Sequence, residues 1–220
     1  MPGDKTSGMR RILVINPNSS AACGAGIEAA IAPLRGFAGL AIEVRTLPDG
    51  PSAIYSWRDW HAAVEPVCRC IEQESVDAYV IACASDPGVE AARATTSRPV
   101  IGIFRAAVGA AIARGERFGI IALVEASKSR HVAALRAMGL ENRLAADIAL
   151  NVSMDTLLDR DAARSMLIGT ARTCAAAGAE TIILGCTGMA HHKDAVAAAS
   201  GVPIIEPCQA GLALAITVVL

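Results

Sequence analysis

The chain has 220 residues, of which 53% are hydrophobic and 3% aromatic, with 20 Lys and Arg against 21 Asp and Glu. This length allows one large domain or two lobes of about 100 residues each, either with a real hydrophobic core. A formal net charge of -1 and few aromatic residues give no basis for binding nucleic acid or an anionic membrane. The opening residues lack a signal peptide's apolar region, and no apolar run reaches the roughly 20 residues of a membrane span, so we expect a cytoplasmic protein.

The first half of the chain alternates strand-like runs rich in Val, Ile and Leu with Ala-rich stretches of helical period. A turn of Pro and Asn follows the first run, and Ser19 or Ser20 is placed to cap the next helix. The strand-like runs are continuously apolar, which is typical of a parallel sheet covered by helices on both faces. Strands are predicted at 11–18, 40–47, 77–83 and 98–103, with a helix after each.

The second half repeats this order at a nearly constant offset. Cys83 and Cys186 are 103 residues apart, and Pro99 and Pro203 are 104 apart. Three segments in the same order are difficult to attribute to composition, although any doubly wound protein repeats strand–helix units. The corresponding segments are 117–127 for the first strand, 180–190 for the third and 201–216 for the fourth.

The repeat predicts an α/β fold of two pseudo-symmetric lobes, each a parallel sheet flanked by helices, with the active site in the cleft between them. The expected boundaries are residues 10–110 and 111–220, and an exchange of the C-terminal helix between the lobes stays open. The apolar end of the chain, 210–220, is expected to be a buried helix that leads into a terminal strand.

Seven cysteines in a chain without a leader are expected to be reduced, and their spacing resembles no zinc framework. We therefore expect no metal site. Most of these cysteines are typical of small apolar side chains in a core. This interpretation applies to Cys23, Cys68, Cys70, Cys174 and Cys208.

Cys83 and Cys186 differ from the others because each ends a predicted central strand and leads into a turn that contains Gly. Ligands of open α/β sheets bind outside the carboxyl ends of the strands, so two similar lobes would place one thiol on each side of a cleft. One cysteine as thiolate could remove a proton from an activated carbon while the other as thiol protonates the opposite face. The alternative is a pair of buried structural cysteines.

The stretches RILVINPNSS, GPSAIYS, VIACASDPGVEAAR, RPVIGI and ILGCTGMA resemble the aspartate/glutamate/hydantoin racemase superfamily, in its hydantoin and allantoin racemase branch. The resemblance covers nearly the whole chain after about residue 9. It implies a two-lobed α/β fold, a homo-oligomer, a small-molecule substrate, and proton transfer between Cys83 and Cys186 without a cofactor. The substrate-binding residues that it implies or suggests are Asn16, Ala84, Ser85, Thr187 and Gly188.

The expected function is therefore racemisation of a hydantoin-type substrate, a 5-substituted hydantoin or allantoin. Gly188 follows Thr187 as in the hydantoin branch, whereas amino-acid racemases of the superfamily tend to carry His there. Ala84 and Ser85 stand where members of this branch usually have a bulky residue and a Gly, and Phe104 and Arg105 stand where they tend to have Glu-Ala. Three alternatives stay open: an isomerase or decarboxylase of a small carboxylic acid (maleate or arylmalonate type), an amino-acid racemase, and a ligand-binding module without activity.

Two local predictions complete the sequence-based account. Tyr55, Trp57 and Trp60 concentrate aromatic side chains in an aromatic-poor chain, and they suit either a cover over the active site or a subunit contact. Asp86 is expected to cap the helix that follows it, because Pro87 stands directly after it.

Overall fold

A computed structural model describes residues 8–159 and 161–220. Residues 1–7, which hold most of the stretch predicted to lack a signal peptide, lie outside the described residues. In the part of the chain that is described, no helix is long and apolar enough to cross a membrane.

The first sheet has four parallel strands in the order β2-β1-β3-β4. Its centre is β1 paired with β3, so that Ile12 lies beside Ala78 and Ile15 beside Ile81. Each predicted strand of this half is confirmed. The elements are β1 (Arg10–Asn16), α1 (Ala21–Ile31), β2 (Leu40–Thr46), α2 (Trp57–Ala62), α3 (Val64–Gln73), β3 (Ala78–Ile81), α4 (Val89–Thr95), β4 (Val100–Gly102) and α5 (Ile103–Ile112).

The second sheet has the same strand order, β6-β5-β7-β8, and is also parallel. The sequence predicted no element for 144–176, where the structure has an edge strand and two helices. The elements are β5 (Phe118–Ala122), α6 (Glu125–Met138), β6 (Leu144–Ala149), α7 (Met154–Leu158), α8 (Arg164–Ala176), β7 (Thr181–Gly185), α9 (Lys193–Ser200), β8 (Ile204–Ile205) and α10 (Pro207–Val219). Short 3-10 turns span Ala32–Leu34, Glu141–Arg143 and Thr187–His192.

Both faces of each sheet are buried, as the continuously apolar strands predicted. On β1, Ile12 and Val14 face α1 and α10, whereas Leu13 and Ile15 face α3 and α4. The second sheet is covered by α8 and α9 on one face and by α5 and α6 on the other. The predicted α/β fold with two similar lobes is confirmed.

The helices at the ends of the two halves are exchanged between the sheets. Leu212 and Ile216 of α10 pack with Val80 of the first sheet, although α10 follows the second sheet in the chain. Phe104 and Val108 of α5 pack on the second sheet. The lobe boundary at residue 110 stays a prediction. The predicted terminal strand is wrong, because α10 continues to Val219.

Candidate active site

A cavity of about 550 Å³ lies beyond the carboxyl ends of β3, β5 and β7, and both Cys83 and Cys186 line it. A concave site with an apolar wall and a few polar groups is typical of small-molecule binding. Apolar residues make up much of the wall, and polar side chains enter it at a few points. The polar wall residues are Asn18, Ser85, Ser127, Arg130, His131 and Thr187.

The Cys83 thiol lies in a tight turn directly after β3. The backbone N–H of Asp86 donates to the Cys83 carbonyl at 2.9 Å, and the Ser85 hydroxyl lies 3.5 Å from the Cys83 sulfur. Burial raises the pKa of Cys83 above its ordinary value of 9.0, while the Ser85 hydroxyl, the Ser85 N–H and the Arg130 charge oppose this rise. Cys83 is therefore a half-buried thiol whose ionised form has three local sources of stabilisation.

Asp86 caps a different helix from the one predicted. The N-cap of α4 is Gly88, whereas the Asp86 carboxylate accepts the N–H groups of Phe104 at 2.7 Å and Arg105 at 3.0 Å, at the start of α5. Arg105 also forms an ion pair with Asp86 at 3.1 Å. Burial nevertheless raises the pKa of Asp86 to about 6. The turn after Cys83 is thus anchored to α5.

Gly102 makes this anchor possible. A Cβ atom at Gly102 would lie 2.2–2.6 Å from atoms of the Asp86 carboxyl group, which no side chain could tolerate. Asp86 itself has a φ of +48°, a left-handed conformation that costs energy for a residue other than Gly. The strained turn is held because the carboxylate has well-placed donors in α5.

The Cys186 thiol follows β7 and precedes the 3-10 turn. It donates to the Met154 sulfur at 3.8 Å. Burial raises the pKa of Cys186 to about 12, the Gly188 N–H opposes this rise, and the charges of Cys23 and Cys83 add to it. Cys186 thus resembles Cys83 in position. Its ionised form is stabilised by one backbone N–H, whereas that of Cys83 is stabilised by a hydroxyl, an N–H and a guanidinium.

Asn16 is not among the wall residues of the cavity, and its predicted contact with the substrate stays a prediction. Asn16 is 0% exposed, and its amide nitrogen donates to Asn18 Oδ1, the Ser20 carbonyl and Thr46 Oγ1 at 3.2–3.3 Å. Its donors are therefore used in holding the loop between β1 and α1. Asn18, two residues later, is the loop residue that reaches the cavity wall. Ser20 caps α1, as predicted.

The other predicted substrate-binding residues divide into two groups. Ala84, Ser85 and Thr187 line the cavity. Gly188 instead lines a separate cavity between α1 and α9, and its backbone N–H serves the Cys186 sulfur. Its contact with the substrate stays a prediction. Cys23, predicted as core, is buried and also lines the cavity with the two thiols.

Three polar wall residues on α6 were not predicted. Ser127, Arg130 and His131 lie on one turn of this helix, and their side chains are almost completely buried. Arg130 donates to the carbonyls of Tyr55 at 3.2 Å and Ala126 at 3.1 Å, and to the Ser127 hydroxyl at 3.2 Å. His131 Nδ1 lies 2.9 Å from an oxygen of Asp147 on β6.

Residues 53–60, which we call the cover segment, connect the two halves of the chain across the cavity. Trp60 donates to the Ser85 carbonyl at 2.8 Å, and Trp57 donates to the Ser129 hydroxyl at 3.0 Å. Tyr55 lines the cavity, and its hydroxyl accepts the N–H of Met154 at 3.3 Å. Of the three aromatic residues, Tyr55 lines the cavity with the two thiols, whereas Trp57 and Trp60 line a neighbouring one. Both predicted roles, a cover over the active site and a subunit contact, stay predictions.

All seven cysteines are free thiols. Within 8–159 and 161–220, no group of three or more His, Cys, Asp or Glu side chains is placed to hold a metal ion. The described wall residues offer proton transfer by thiols, with neighbouring hydroxyl, N–H and guanidinium groups.

Comparisons with known proteins identify the family of this chain and agree with its fold. A family model described as Asp/Glu/Hydantoin racemase matches residues 12–215. The chain is 34% identical to the hydantoin racemase of Pseudomonas sp. (strain NS671) over 219 residues, which cover 95% of this chain and 86% of the relative. The allantoin racemase structure from Klebsiella pneumoniae has a TM-score of 0.88 and 30% identity, and the match covers 96% of this chain and 87% of that one.

A second structure, allantoin racemase from Pseudomonas fluorescens, has a TM-score of 0.89 and 25% identity, with 95% of this chain and 90% of that chain covered. Fold, motifs and overall similarity therefore agree across nearly the full length. This chain belongs to the Asp/Glu/hydantoin racemase family and is a racemase, as its motifs predicted.

Proposed function

We propose that this racemase inverts the C5 stereocentre of a hydantoin-type substrate, a 5-substituted hydantoin or allantoin, with Cys83 and Cys186 as its acid/base pair. The observation that carries the proposal is that both thiols line one cavity at the ends of corresponding strands in two similar sheets. A substrate bound between them would present one face of its stereocentre to each sulfur.

The proposed reaction consists of two proton transfers. A thiolate at one cysteine removes the C5 proton, an S–H bond forms, and the electron pair of the C–H bond passes into the adjacent carbonyl as an enolate. The second cysteine donates its proton to the opposite face of the planar carbon and becomes a thiolate. Hydroxyl groups of Ser85, Ser127 and Thr187 line the cavity and are available to the polar atoms of the ring.

The choice of a cyclic ureide rests on relatives and on the cavity. Proteins similar to this chain over nearly their whole length are a hydantoin racemase and two allantoin racemases. The wall combines apolar residues such as Ile54 and Leu123 with a small number of hydrogen-bonding groups, which suits a compact polar ring with one substituent.

The direct test incubates the purified protein with one enantiomer of a 5-substituted hydantoin, and separately with allantoin, in D2O. We expect the C5 proton signal to disappear as optical rotation decays, both faster than without protein. A C83S/C186S double variant controls for other sources of exchange and is expected to be inactive. Exchange and racemisation at the rate without protein, for every substrate of the panel, would refute the proposed substrate class.

One observation favours a second candidate, an isomerase or decarboxylase of a small carboxylic acid. Arg130 is a buried cation in the cavity wall, and a carboxylate is its natural ligand. Arg105, the other candidate from the sequence, is bound to Asp86 and Glu90 and is not a wall residue of this cavity. Turnover of a malonate or maleate, without exchange in hydantoins, would favour this function.

A further inference from the structure

Arg130 is a buried cation at the active-site wall. It lies on α6, is 3% exposed, and lines both the cavity with the two thiols and a neighbouring cavity that Trp57, Trp60 and Ser85 also line. Among the described residues, no carboxylate oxygen lies within 4.0 Å of its guanidinium, although the other Arg residues on this helix and nearby form ion pairs with Asp or Glu. Within the described residues, the positive charge of Arg130 is therefore not balanced by an ion pair with Asp or Glu.

The hydrogen bonds of Arg130 leave part of its guanidinium unused. Its Nη1 donates to two backbone carbonyls and its Nη2 to the Ser127 hydroxyl, all of them neutral acceptors. Its Nε is buried and has no hydrogen-bond partner in the described structure. The charge of the Asp59 carboxylate also raises the pKa of Arg130. This carboxylate, however, already accepts hydrogen bonds from the N–H groups of Tyr55 and Ser56 and from the Ser56 hydroxyl.

Arg130 keeps its positive charge, because the pKa of an arginine side chain in a protein is too high for it to lose its proton. A buried charge without a partner costs several kcal/mol, so such a charge is retained where an opposite charge is present for at least part of the working cycle. Burial lowers the pKa of Arg130, and the charge on Cys83 raises it again. Cys83 is thus the wall residue whose ionised form can balance Arg130.

We propose that Arg130 is the counter-cation of the Cys83 thiolate, so that Cys83 is the cysteine that ionises first and Cys186 is the one that keeps its proton. Arg130 acts here as a positioning residue, since it works through Cys83. The proposal rests on the two-cysteine function proposed above, and it names the base with which turnover begins from the free enzyme.

In this proposal the positive charge stays on Arg130, while one negative charge moves from Cys83 to the substrate and then to Cys186. The charge begins on the Cys83 sulfur, moves onto the enolate oxygen when the S–H bond of Cys83 forms and the C–H bond breaks, and ends on Cys186 when that sulfur gives up its proton. In the reverse direction the same steps occur in the opposite order. Arg130 favours the first position of the charge, because Arg130 and Cys83 line the same cavity and the guanidinium charge acts on this sulfur.

The other groups around Cys83 do not supply this charge. Asp86 and Cys186 carry negative charge when ionised and oppose the thiolate. Cys208, which is buried in the core of the first sheet, does the same. His131 lies in the same wall, and its Nδ1 contacts the Asp147 carboxylate. Arg130 is therefore the positive group that acts on Cys83 from α6.

The test measures alkylation by iodoacetamide of Cys83 and Cys186 separately, by peptide mass spectrometry, between pH 6 and pH 10. In the wild-type protein we expect Cys83 to react faster than Cys186 across this range. R130M is expected to slow Cys83 alkylation at pH 7 by about tenfold and to move its pH profile at least one unit higher, with little change at Cys186. R136M is the matched control: Arg136 lies on the same helix, is exposed, and pairs with Glu141.

Two further variants keep the test decisive if R130M does not fold. R130K and R130Q can both donate to the Tyr55 and Ala126 carbonyls but differ by one positive charge. We expect R130K to keep Cys83 reactivity within about threefold of wild type and R130Q to lose about tenfold. Equal reactivity of Cys83 in both, or faster alkylation of Cys186 than of Cys83 in the wild type, would overturn the proposal.

Because alkylation needs no substrate, its outcome is separate from that of the proposed function. A wild-type protein that fails to exchange hydantoin protons, yet shows the Arg130-dependent Cys83 profile, would refute the substrate class and retain the counter-cation. The pH profile of kcat/KM on a substrate that is turned over should shift upward in R130M, in parallel with the alkylation profile.

Discussion

The two cysteine motifs occupy corresponding positions in two similar sheets, yet they provide different surroundings for the sulfur. Cys83 has the Ser85 hydroxyl at 3.5 Å and the charge of Arg130 nearby. Cys186 has a backbone N–H from Gly188 and a contact with the Met154 sulfur. Duplicated strand ends therefore place two thiols at one cavity, and the side chains around each of them determine how readily it ionises.

The turns that follow Cys83 and Cys186 are also held in place by different contacts. The first turn contains Asp86 in a left-handed conformation and is tied to α5 by its carboxylate. The second continues directly into a 3-10 turn. The first motif thus depends on close packing of a carboxylate against Gly102, whereas the second depends on close packing of backbone, because a Cβ at Gly185 would lie 2.5 Å from the Ile121 carbonyl oxygen.

The largest expected effect comes from removing either thiol. C83S and C186S should each lose racemase activity by at least about 1,000-fold, because a serine hydroxyl at these positions is a much weaker acid and leaves one proton transfer without its partner. Polarimetry with an enantiopure hydantoin measures the effect. C68S serves as control, since Cys68 is a buried residue of α3 outside the cavity wall, and it should stay active.

The next effect in size is the dependence on pH. Burial raises the pKa of Cys83, so the protonated form dominates at neutral pH and the thiolate fraction grows as pH rises. We expect kcat/KM to rise about tenfold per pH unit between pH 6 and pH 9. Activity should fall again only as Cys186 loses its proton, which its pKa of about 12 places far above neutrality. A flat profile over this range would contradict the assignment of a half-buried thiol as the base.

A smaller effect concerns the packing of the first motif. G102A should destabilise the protein by about 2–3 kcal/mol, because the new methyl group would overlap the Asp86 carboxyl group. G109A, on the same helix with no atom within 4 Å of its added Cβ, should be neutral or stabilising by about 0.5–1 kcal/mol. Urea unfolding measures both, and equal stability of the two variants would show that the Asp86 anchor is not tight.

The smallest effect tests the hydroxyl beside Cys83. S85A should slow Cys83 alkylation at pH 7 by about fivefold, since a weak hydrogen bond to the thiolate is lost while the backbone N–H remains. T187A, the matched change in the second motif, should leave Cys83 alkylation unaltered. If S85A and T187A affect Cys83 equally, the asymmetry between the motifs does not arise from Ser85.

Much of the fold was predictable because its central strands are continuous apolar runs. The strands that end at Cys83 and Cys186 were both correctly placed, and so was the parallel sheet. Strand β6 was missed because it is an edge strand of half-buried residues interrupted by Asp147, which leaves little apolar signal. The packing of α5 and α10 on opposite sheets was left open, since periodicity does not tell which surface a helix covers.

Among the wall residues of the candidate site, the sequence indicated a catalytic or substrate-binding role only for residues that belong to one of the two cysteine motifs. The cysteines stand at strand ends, and their neighbours Ser85 and Thr187 follow from the turn, so the sequence indicated all four. Arg130 has no such signal, because nothing in the local sequence shows that an arginine of α6 points toward a cavity. Asn in a turn suits both a ligand contact and a loop support, and the hydrogen bonds of Asn16 support the loop, so its role toward the substrate stays a prediction.

The central claim, that the two sulfurs serve opposite faces of one bound carbon, is tested most directly by hydrogen exchange in the single variants. C186S retains Cys83 and C83S retains Cys186, so each should slowly exchange the C5 proton of one hydantoin enantiomer in D2O without racemising it. We expect C186S and C83S to exchange the C5 proton of opposite enantiomers. Exchange of the same enantiomer by both variants, or of both enantiomers by either one, would contradict it.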